Sequence, residues 1–191
     1  MPTTPFPFVR ETIALRALEP GDAPLLQRYL NHPALAGRRY LPDGVSDVAP
    51  LSLRQVEGVI EQWQKDRDAW TLAVLEAACG TVAGHVRAEW EWDPHTPSVS
   101  VVISPDHQRR GLGSAALDLA LRFLFEETPA HAVSMWIASW NEEAVAFARR
   151  NGFSEAGRSP RGGVHGGRFY SQIALDLLRR EWRERQVNRA T

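Results

Sequence analysis

The sequence predicts an α/β protein built around a mixed β-sheet, and three observations support this fold class. Segments with strand-like alternation and segments with helical periodicity follow one another in the order βααβββαβαββ, with a tail helix after the last strand. The chain of 191 residues can bury a core without disulfides or metals. Its 43% hydrophobic and 24% charged content is ordinary for a globular domain. We therefore expect one domain over 9–186, between an N-terminal tail at 1–8 and a C-terminal tail at 187–191.

The first part of the chain predicts one strand and two amphipathic helices. Glu11–Arg16 alternates with period two, as a half-buried strand does. Asp22 can cap a helix that ends near Asn31, and Ser52 can cap a second helix that ends near Asp66. Helical spacing puts the following residues on the buried sides of these helices: Leu25, Leu26, Tyr29 and Leu30, then Val56, Val59, Ile60 and Trp63.

The middle of the chain predicts a hairpin, a further strand, a buried helix and another strand. Trp70–Leu75 and Thr81–Trp92 have strand composition and flank a turn at 78–80. Ser98–Ile103 is an apolar β-branched run. Gly111–Glu127 is apolar on most sides and ends before a proline, which indicates a buried helix. Val133–Trp140 has the composition of a strand.

The last part predicts one more helix, a strand pair and a tail helix. Asn141 can cap a helix that ends at Asn151-Gly152, where glycine permits a left-handed exit. Glu155–Arg158 and Arg168–Leu175 form the expected strand pair, and 159–168 between them reads as a flexible basic loop. A charged amphipathic helix then runs from 176 to about 186.

Charge and cysteine content narrow the class of protein. A formal net charge of −1 argues against a nucleic-acid binder that works through bulk electrostatics. Cys79 is the only cysteine, so no internal disulfide can form and a reducing compartment is expected. The first ten residues lack the pattern of a secretory signal, and no apolar run approaches the ~18 residues of a bilayer span. We therefore expect a cytoplasmic protein that acts on neither nucleic acid nor membrane.

The stretch VVISPDHQRRGLGSAA, at 101–116, has the composition of an anion-binding site. It leads from a strand through a polar turn into a helix, whose first N–H groups are free and carry partial positive charge. Gly111 and Gly113 let phosphate oxygens approach the backbone without a Cβ in the way. Arg109 and Arg110 add charge at the rim, and Ser114 adds a hydroxyl. These residues predict a pyrophosphate site.

Two well-known phosphate motifs fit this stretch poorly. A Walker A loop requires a lysine after its second glycine, and none is present. The letters of 111–116 match G-x-G-x-x-A, the dinucleotide fingerprint. However, seven residues separate Ile103 from Gly111, and only 75 follow Ala116, too few for the further βα units of that fold.

A third motif fits best. Gln108–Gly113 (QRRGLG) resembles the Q/R-x-x-G-x-G/A signature of the GNAT N-acetyltransferases, and Asn141–Phe153 is similar to the N-x-x-A…G-F segment of the same family. The order of elements also matches, so the resemblance covers most of the chain. Leu15–Asp22 and Leu177–Trp182 look like the RimJ/RimL-type branch, which includes ribosomal-protein N-terminal acetyltransferases.

The resemblance implies a fold and a cosubstrate. It implies a central, mostly antiparallel mixed sheet of about seven strands, splayed between strands 4 and 5, flanked by helices and followed by a C-terminal helix. It implies acetyl-CoA as cosubstrate, an amine acceptor, no metal, and a homodimer. Asn141 would touch the pantetheine arm or serve only as a helix cap, and Phe147 would flank the arm or pack in the core. The other cofactor residues implied are the backbone of Val101, Val102 and Ile103 along the pantetheine, and Gln108, Arg109, Arg110, Gly111, Leu112, Gly113 and Ser114 around the pyrophosphate.

The implied chemistry is direct attack of a neutral amine on the thioester, without a covalent enzyme intermediate. A backbone N–H of strand 4, at Val102 or its neighbour Ile103, is the expected donor to the developing oxyanion. The chain departs from the family at Ala148, where many members have a tyrosine acid, and at Ala144, where the RimL-type branch often has serine. No general acid can be assigned, although a thiol of pKa ~8.5 is a tolerable leaving group.

The general base is left open by the sequence. Strand 4 of the family often offers a glutamate near its start, where this chain has Ser98. Glu89, Glu91 and His85 are the candidate bases. Alternation along the strand puts Glu89 and Glu91 on one face and Trp90 and Trp92 on the other. A solvated acidic face over a buried aromatic face is the alternative interpretation.

Deprotonation energies bear on the acceptor. At pH 7 a lysine amine of pKa ~10.4 loses its proton at a cost of roughly 4.6 kcal/mol, against roughly 1 kcal/mol for an α-amine of pKa ~7.8. A site without an evident base favours a protein N-terminal α-amine or a small-molecule amine. The competing hypothesis, suggested by Ala144 and Ala148, is a non-catalytic acyl-CoA-binding module.

Overall fold

The computed structural model describes residues 8–9, 12–90 and 93–190. These residues fall into two compact units. The first takes its residues from 1–89 and 100–123, and the second from 90–99 and 124–191. The division of the sequence into one domain and two tails therefore stays a prediction.

Seven strands form a mixed sheet in the order β1-β2-β3-β4-β5-β7-β6. All pairings given by register are antiparallel except the one between β4 and β5, which is parallel at Ser98↔Ser134. The predicted mostly antiparallel mixed sheet is thereby confirmed. The strands are β1 Ile13–Ala17, β2 Ala69–Glu76, β3 Val82–Glu89, β4 Ser98–Ile103, β5 Ala132–Ala138, β6 Ser154–His165 and β7 Arg168–Leu178.

Five helices accompany the strands: α1 Ala23–Leu30, α2 Leu53–Lys65, α3 Leu112–Glu127, α4 Glu142–Arg150 and α5 Arg179–Ala190. The start of α2 follows from a capping box, in which the Ser52 hydroxyl accepts from the N–H of Gln55 and the Gln55 side chain accepts from the N–H of Ser52. Its buried residues Val56, Val59, Ile60 and Trp63 are the predicted ones. None of the helices in the described ranges combines the length and apolar character that a bilayer span requires.

The start of α1 differs from the prediction in two details. Asp22 occupies the N-cap position, but its carboxylate accepts both guanidinium N–H groups of Arg16, at 2.7 Å each, instead of capping the helix. Burial opposes the charge of Asp22, yet the hydrogen bonds from Arg16 lower the pKa of the carboxyl overall. Leu25, which was expected on the buried side of α1, is 40% exposed, and Ala23 is buried there instead.

The second unit contains a long hairpin where the sequence predicts a flexible loop. Strand β6 continues to His165, and the chain reverses at Gly166 and Gly167, whose φ angles of 56° and 74° suit a tight hairpin turn. The loop expectation for 159–168 is therefore wrong for all but the turn. Glycine and proline in this segment are accommodated by a register shift between Ser159 and Gly163.

The tail helix begins later and ends later than its charge pattern indicates. Residues up to Leu178 remain in β7 because they pair with β5 as far as Ala132, so α5 starts at Arg179 and extends to Ala190. The ring of Trp182 on α5 packs against the ring of Phe125 on α3, with 5.4 Å between the ring centroids. This contact lies within the second unit.

A buried histidine lies in the core of the first unit. His85 on β3 has no exposed surface, its Nδ1 is 2.8 Å from the hydroxyl oxygen of Tyr29, and its ring centroid is 5.0 Å from that of Trp63. Burial, together with the nearby charge of Arg87, lowers the pKa of His85 to about 3. The imidazole is therefore neutral at physiological pH.

This depressed pKa predicts an acid-sensitive fold. Between pH 6.5 and about 3 the unfolded chain binds a proton at His85 that the folded chain does not, so stability falls as the pH falls through this window. The contribution approaches about 1.4 kcal/mol of unfolding free energy per pH unit. Urea unfolding of His85→Gln between pH 7 and 4.5 should show a shallower decline than the unchanged protein. Parallel declines in both proteins would contradict the assignment.

Candidate active site

The connection between β4 and α3 has the geometry of an anion-binding loop. After a short 3-10 turn at Pro105–His107, the backbone enters the left-handed region at Arg109, with φ 61°, and again at Gly111, with φ 81°. The first helical hydrogen bond joins the Ala115 N–H to the Gly111 carbonyl at 3.0 Å. The N–H groups before it have no partner within the helix, so they can donate to an external anion.

Backbone conformation, more than space, explains the glycine at 111. A Cβ built there would meet no atom within 4 Å, but φ 81° is a conformation that other residues adopt only with strain. Gln108 braces the other side of the turn, because its side-chain amide donates to the Ile103 carbonyl at 2.9 Å.

The two arginines of the loop differ in their surroundings. Arg110 lies 3.3 Å from both carboxylate oxygens of Glu76, at the end of β2, and His107 Nε2 lies 3.6 Å from Glu76 Oε2. Arg109 is exposed and forms no ion pair with any residue the structure describes. A surface depression of about 310 Å³ lies beside this contact, lined by Thr12, Glu76, Ala77, Ala78, Arg110 and Leu112.

The backbone of β4 is directed by a close approach to β3. The Ser104 N–H donates to the Ala83 carbonyl at 2.8 Å, and the Val102 carbonyl lies so near Gly84 that a Cβ there would collide with it and with Ile103 Cα. Since backbone groups alternate sides along a strand, Val102 faces β3, and Val101 and Ile103 face the other edge. Val102, the expected oxyanion donor, thus points toward β3 instead of that edge.

Helix α4 contains the two remaining predicted cofactor residues. Asn141 is buried and caps the helix, because its side-chain oxygen accepts from the Ala144 N–H at 3.4 Å, and its contact with the pantetheine stays a prediction. Phe147 is half-buried, whereas Ala148 has no exposed surface. Both lie in the second unit, while the β4–α3 loop lies in the first.

The candidate bases have unequal surroundings. His85 is fully buried, and a base must contact the proton that it removes, so the structure does not support this candidate. Glu89 is about one-third exposed, and its carboxylate accepts from Arg87 Nε at 3.0 Å. Arg87 also donates to Thr71 and to Asp66. The third candidate, Glu91, lies outside the described residues.

Sequence reasoning missed two residues that shape this site. Gly84 had a signal, because an isolated glycine in a strand pattern indicates close approach of another backbone. Glu76 had none, since its contact with Arg110 joins residues 34 positions apart in the chain. In the part of the chain that the structure describes, no group of three or more His, Cys, Asp and Glu residues is placed to hold a metal ion.

Comparisons with known proteins find acetyltransferases of similar sequence or fold. The "Putative ribosomal N-acetyltransferase YdaF" of Bacillus subtilis (strain 168) is 26% identical over 183 residues, covering 91% of this chain and 95% of YdaF. An acetyltransferase (GNAT family) of Bacillus anthracis shares 17% identity and a TM-score of 0.77, covering 91% of this chain and 98% of its own. The spermidine N-acetyltransferase of Vibrio cholerae, solved with CoA and spermine, shares 21% identity and a TM-score of 0.75, covering 91% and 99%.

The two solved structures show that the fold is shared, and the family is shown by a match to a family model. The model of the acetyltransferase (GNAT) domain matches residues 12–154, which include the β4–α3 loop, Asn141 and Phe147. The chain therefore belongs to the GNAT acetyltransferase family and is an acetyl-CoA-dependent N-acetyltransferase.

Proposed function

We propose that the protein acetylates a primary amine, either a protein N-terminal α-amine or a small-molecule amine, by direct attack of that amine on the thioester. The observation that carries the proposal is the left-handed Gly111 at the start of α3, which leaves backbone N–H groups free beside two arginines. Such a loop fits the pyrophosphate of acetyl-CoA, because amide donors and a helix N-terminus both favour negative charge.

Further residues are assigned to the same cosubstrate. Gln108, Leu112, Gly113 and Ser114 complete the pyrophosphate loop around Arg109–Gly111. Val101 and Ile103 would pair with the pantetheine arm, as an added strand pairs with a sheet edge. We assign the oxyanion donor to the Ile103 N–H, because Val102 faces β3. Asn141 and Phe147 would border the pantetheine.

Finer features of this proposal rest on the resemblance to the RimJ/RimL-type branch. They are membership of that branch, a cytoplasmic location and a homodimer. The name of YdaF refers to ribosomal N-acetylation, and that of the Vibrio cholerae enzyme refers to spermidine, so the relatives support an amine acceptor without agreeing on one. Glu89 is the one base candidate that is described and accessible, and its carboxylate is paired with Arg87.

One assay distinguishes acetyl transfer from the competing function, a non-catalytic acyl-CoA-binding module. Acetyl-CoA is incubated with the protein and a panel of peptides and small amines, and free thiol is measured. We expect acceptor-dependent release of CoA with at least one amine. Binding of CoA without acceptor-dependent release across the panel would favour the binding module.

Substitution of Gly111 should weaken acetyl-CoA binding. In Gly111→Ala the left-handed conformation costs about 1–2 kcal/mol, so the loop should relax and the Kd for acetyl-CoA, measured by calorimetry, should rise about tenfold. Gly44→Ala is the matched control, because Gly44 has φ 82° and equally open space in the loop before α2. An equal rise in the two variants, or none in Gly111→Ala, would contradict the assignment.

Removal of the Glu76 charge should have the opposite effect. Glu76→Gln releases Arg110 from its ion pair and removes a negative charge near the proposed pyrophosphate, so the Kd for acetyl-CoA should fall about threefold. The effect should shrink at 0.5 M salt, since the ion pair is partly exposed. Glu61→Gln, which removes an exposed carboxylate from α2, should leave the Kd unchanged. A higher Kd for acetyl-CoA in Glu76→Gln would show that the Glu76 charge does not oppose binding.

A further inference from the structure

The far end of the β6–β7 hairpin extends beyond the strand that supports its base. Strand β5 pairs with β7 only as far as Ala138↔Gln172. We call residues 161–170, which lie past this point, the hairpin tip. Its strands pair with each other and have no third strand beside them in the described part of the chain. All of its residues are exposed except Gly163 and Tyr170, which are half-buried, so the hairpin tip is accessible to other molecules.

Trp140 covers one face of the hairpin tip. The His165 ring stacks on the Trp140 indole, with 3.8 Å between the ring centroids and 5° between the ring planes. The Tyr170 ring meets the same indole edge-on at 6.5 Å, and it lies so close to Gly163 that a Cβ there would collide with it. These aromatic contacts hold the ribbon in addition to its own hydrogen bonds. A surface held in this way loses little conformational freedom when it binds a partner.

The opposite face of the hairpin tip is apolar and exposed. Val164 and Phe169 are directly paired in register, and alternation along both strands directs them away from the face of His165 and Tyr170. Val164 is 59% exposed, and Phe169, at 71%, is the most exposed large hydrophobic residue in the described ranges. Removal of such side chains from water is favourable, so this pair suits contact with an apolar group of a partner.

The charge of this segment is positive throughout. No Asp or Glu occurs between Glu155 and Asp176, whereas the same stretch contains Arg158, Arg161 and Arg168. Arg158 pairs with Glu155, but Arg161 and Arg168 are exposed and form no ion pair with any residue the structure describes. A guanidinium offers a planar set of donors that fits a carboxylate through two parallel hydrogen bonds. The hairpin tip therefore matches a partner that carries both carboxylates and an apolar side chain.

The same features disfavour two other occupants of the hairpin tip. Two copies of it facing each other would bring guanidinium groups together, which opposes self-association at this surface. Nucleic acid binds through many phosphate contacts, and two unpaired guanidiniums on a chain of formal net charge −1 supply few. Val164, which is β-branched, also lacks the flat face on which a base stacks.

We propose that the hairpin tip is a docking site for an acidic segment of another protein. Val164 and Phe169 would contact an aliphatic or aromatic side chain of that segment, and Arg161 and Arg168 would pair with its carboxylates. The hairpin tip lies entirely in the second unit, and docking there requires no particular placement relative to the acetyl-CoA loop. The inference is therefore independent of the proposed acetyl transfer.

Three labelled peptides and one RNA test the proposal. The full chain is titrated, by fluorescence anisotropy at low salt, with the acidic peptide GDELFEDG, with its basic counterpart GKKLFKKG, with GDESSEDG, which lacks the apolar side chains, and with octauridylate. We expect GDELFEDG to bind about tenfold more tightly than either counterpart, and its affinity should fall at 0.5 M salt. No binding of GDELFEDG, equal affinities for the three peptides, or tighter binding of octauridylate would overturn the proposal.

Two double variants locate the peptide on the hairpin tip. Arg161→Glu/Arg168→Glu should reduce the affinity for GDELFEDG about tenfold, because it replaces attraction by repulsion. Val164→Ser/Phe169→Ser should reduce it about fivefold, because it removes the apolar contact. All four side chains are exposed, so a thermal midpoint within about 4 °C of that of the unchanged protein reports that each variant is folded.

Matched controls carry the same changes elsewhere in the chain. Arg54→Glu/Arg67→Glu reverses two exposed arginines of the first unit that form no ion pair with any described residue, so the net charge changes equally. Val48→Ser removes an apolar side chain that is 66% exposed. Both controls should keep the peptide affinity of the unchanged protein. A loss in either control as large as that in the corresponding hairpin-tip variant would overturn the assignment.

Discussion

The free backbone N–H groups at the start of α3 are the feature on which the proposed acetyl-CoA site depends. The elements on both sides of these groups are held in the core. Val102 of β4 is buried upstream, and Leu117 and Ala120 of α3 have no exposed surface downstream. Between these anchors, Gly111 turns the chain through a left-handed conformation. Amide donors held in this way pay little reorganisation cost when an anion arrives, which is the physical advantage of backbone over flexible side chains.

The charges around the loop modulate this constraint without replacing it. The chain as a whole has a formal net charge of −1, so attraction to a polyphosphate has to come from the local arrangement. The ion pair with Glu76 partly neutralises Arg110, so Arg109 and the helix N-terminus are the main sources of positive potential. In the proposed site much of the affinity for acetyl-CoA would therefore come from uncharged donors, whose strength depends less on ionic strength than that of exposed ion pairs.

Features coded by adjacent residues could be predicted from the sequence, and features that need register could not. The start of α2 after its cap Ser52 and the glycine turn at the start of α3 are local features, and both were predicted at the right residues. The long β6–β7 hairpin was missed because its glycines and prolines resemble a loop until pairing with β7 supplies their hydrogen bonds. His85 looked like a candidate base because sequence alone shows neither Tyr29 nor Trp63 beside it.

The electrostatics of the two units bear on how a chain without an evident base can acetylate an amine. In the first unit the carboxylate of Glu89 is partly exposed and is paired with the guanidinium of Arg87, at 3.0 Å. In the second unit Asp176 has no cationic partner among the residues described and contacts a hydroxyl instead. An acceptor amine of low pKa reduces the demand for a general base, since its neutral form is populated near pH 7. That property favours a protein N-terminal α-amine or another weakly basic amine as the proposed acceptor, because deprotonation of an amine of pKa ~7.8 costs roughly 1 kcal/mol at pH 7.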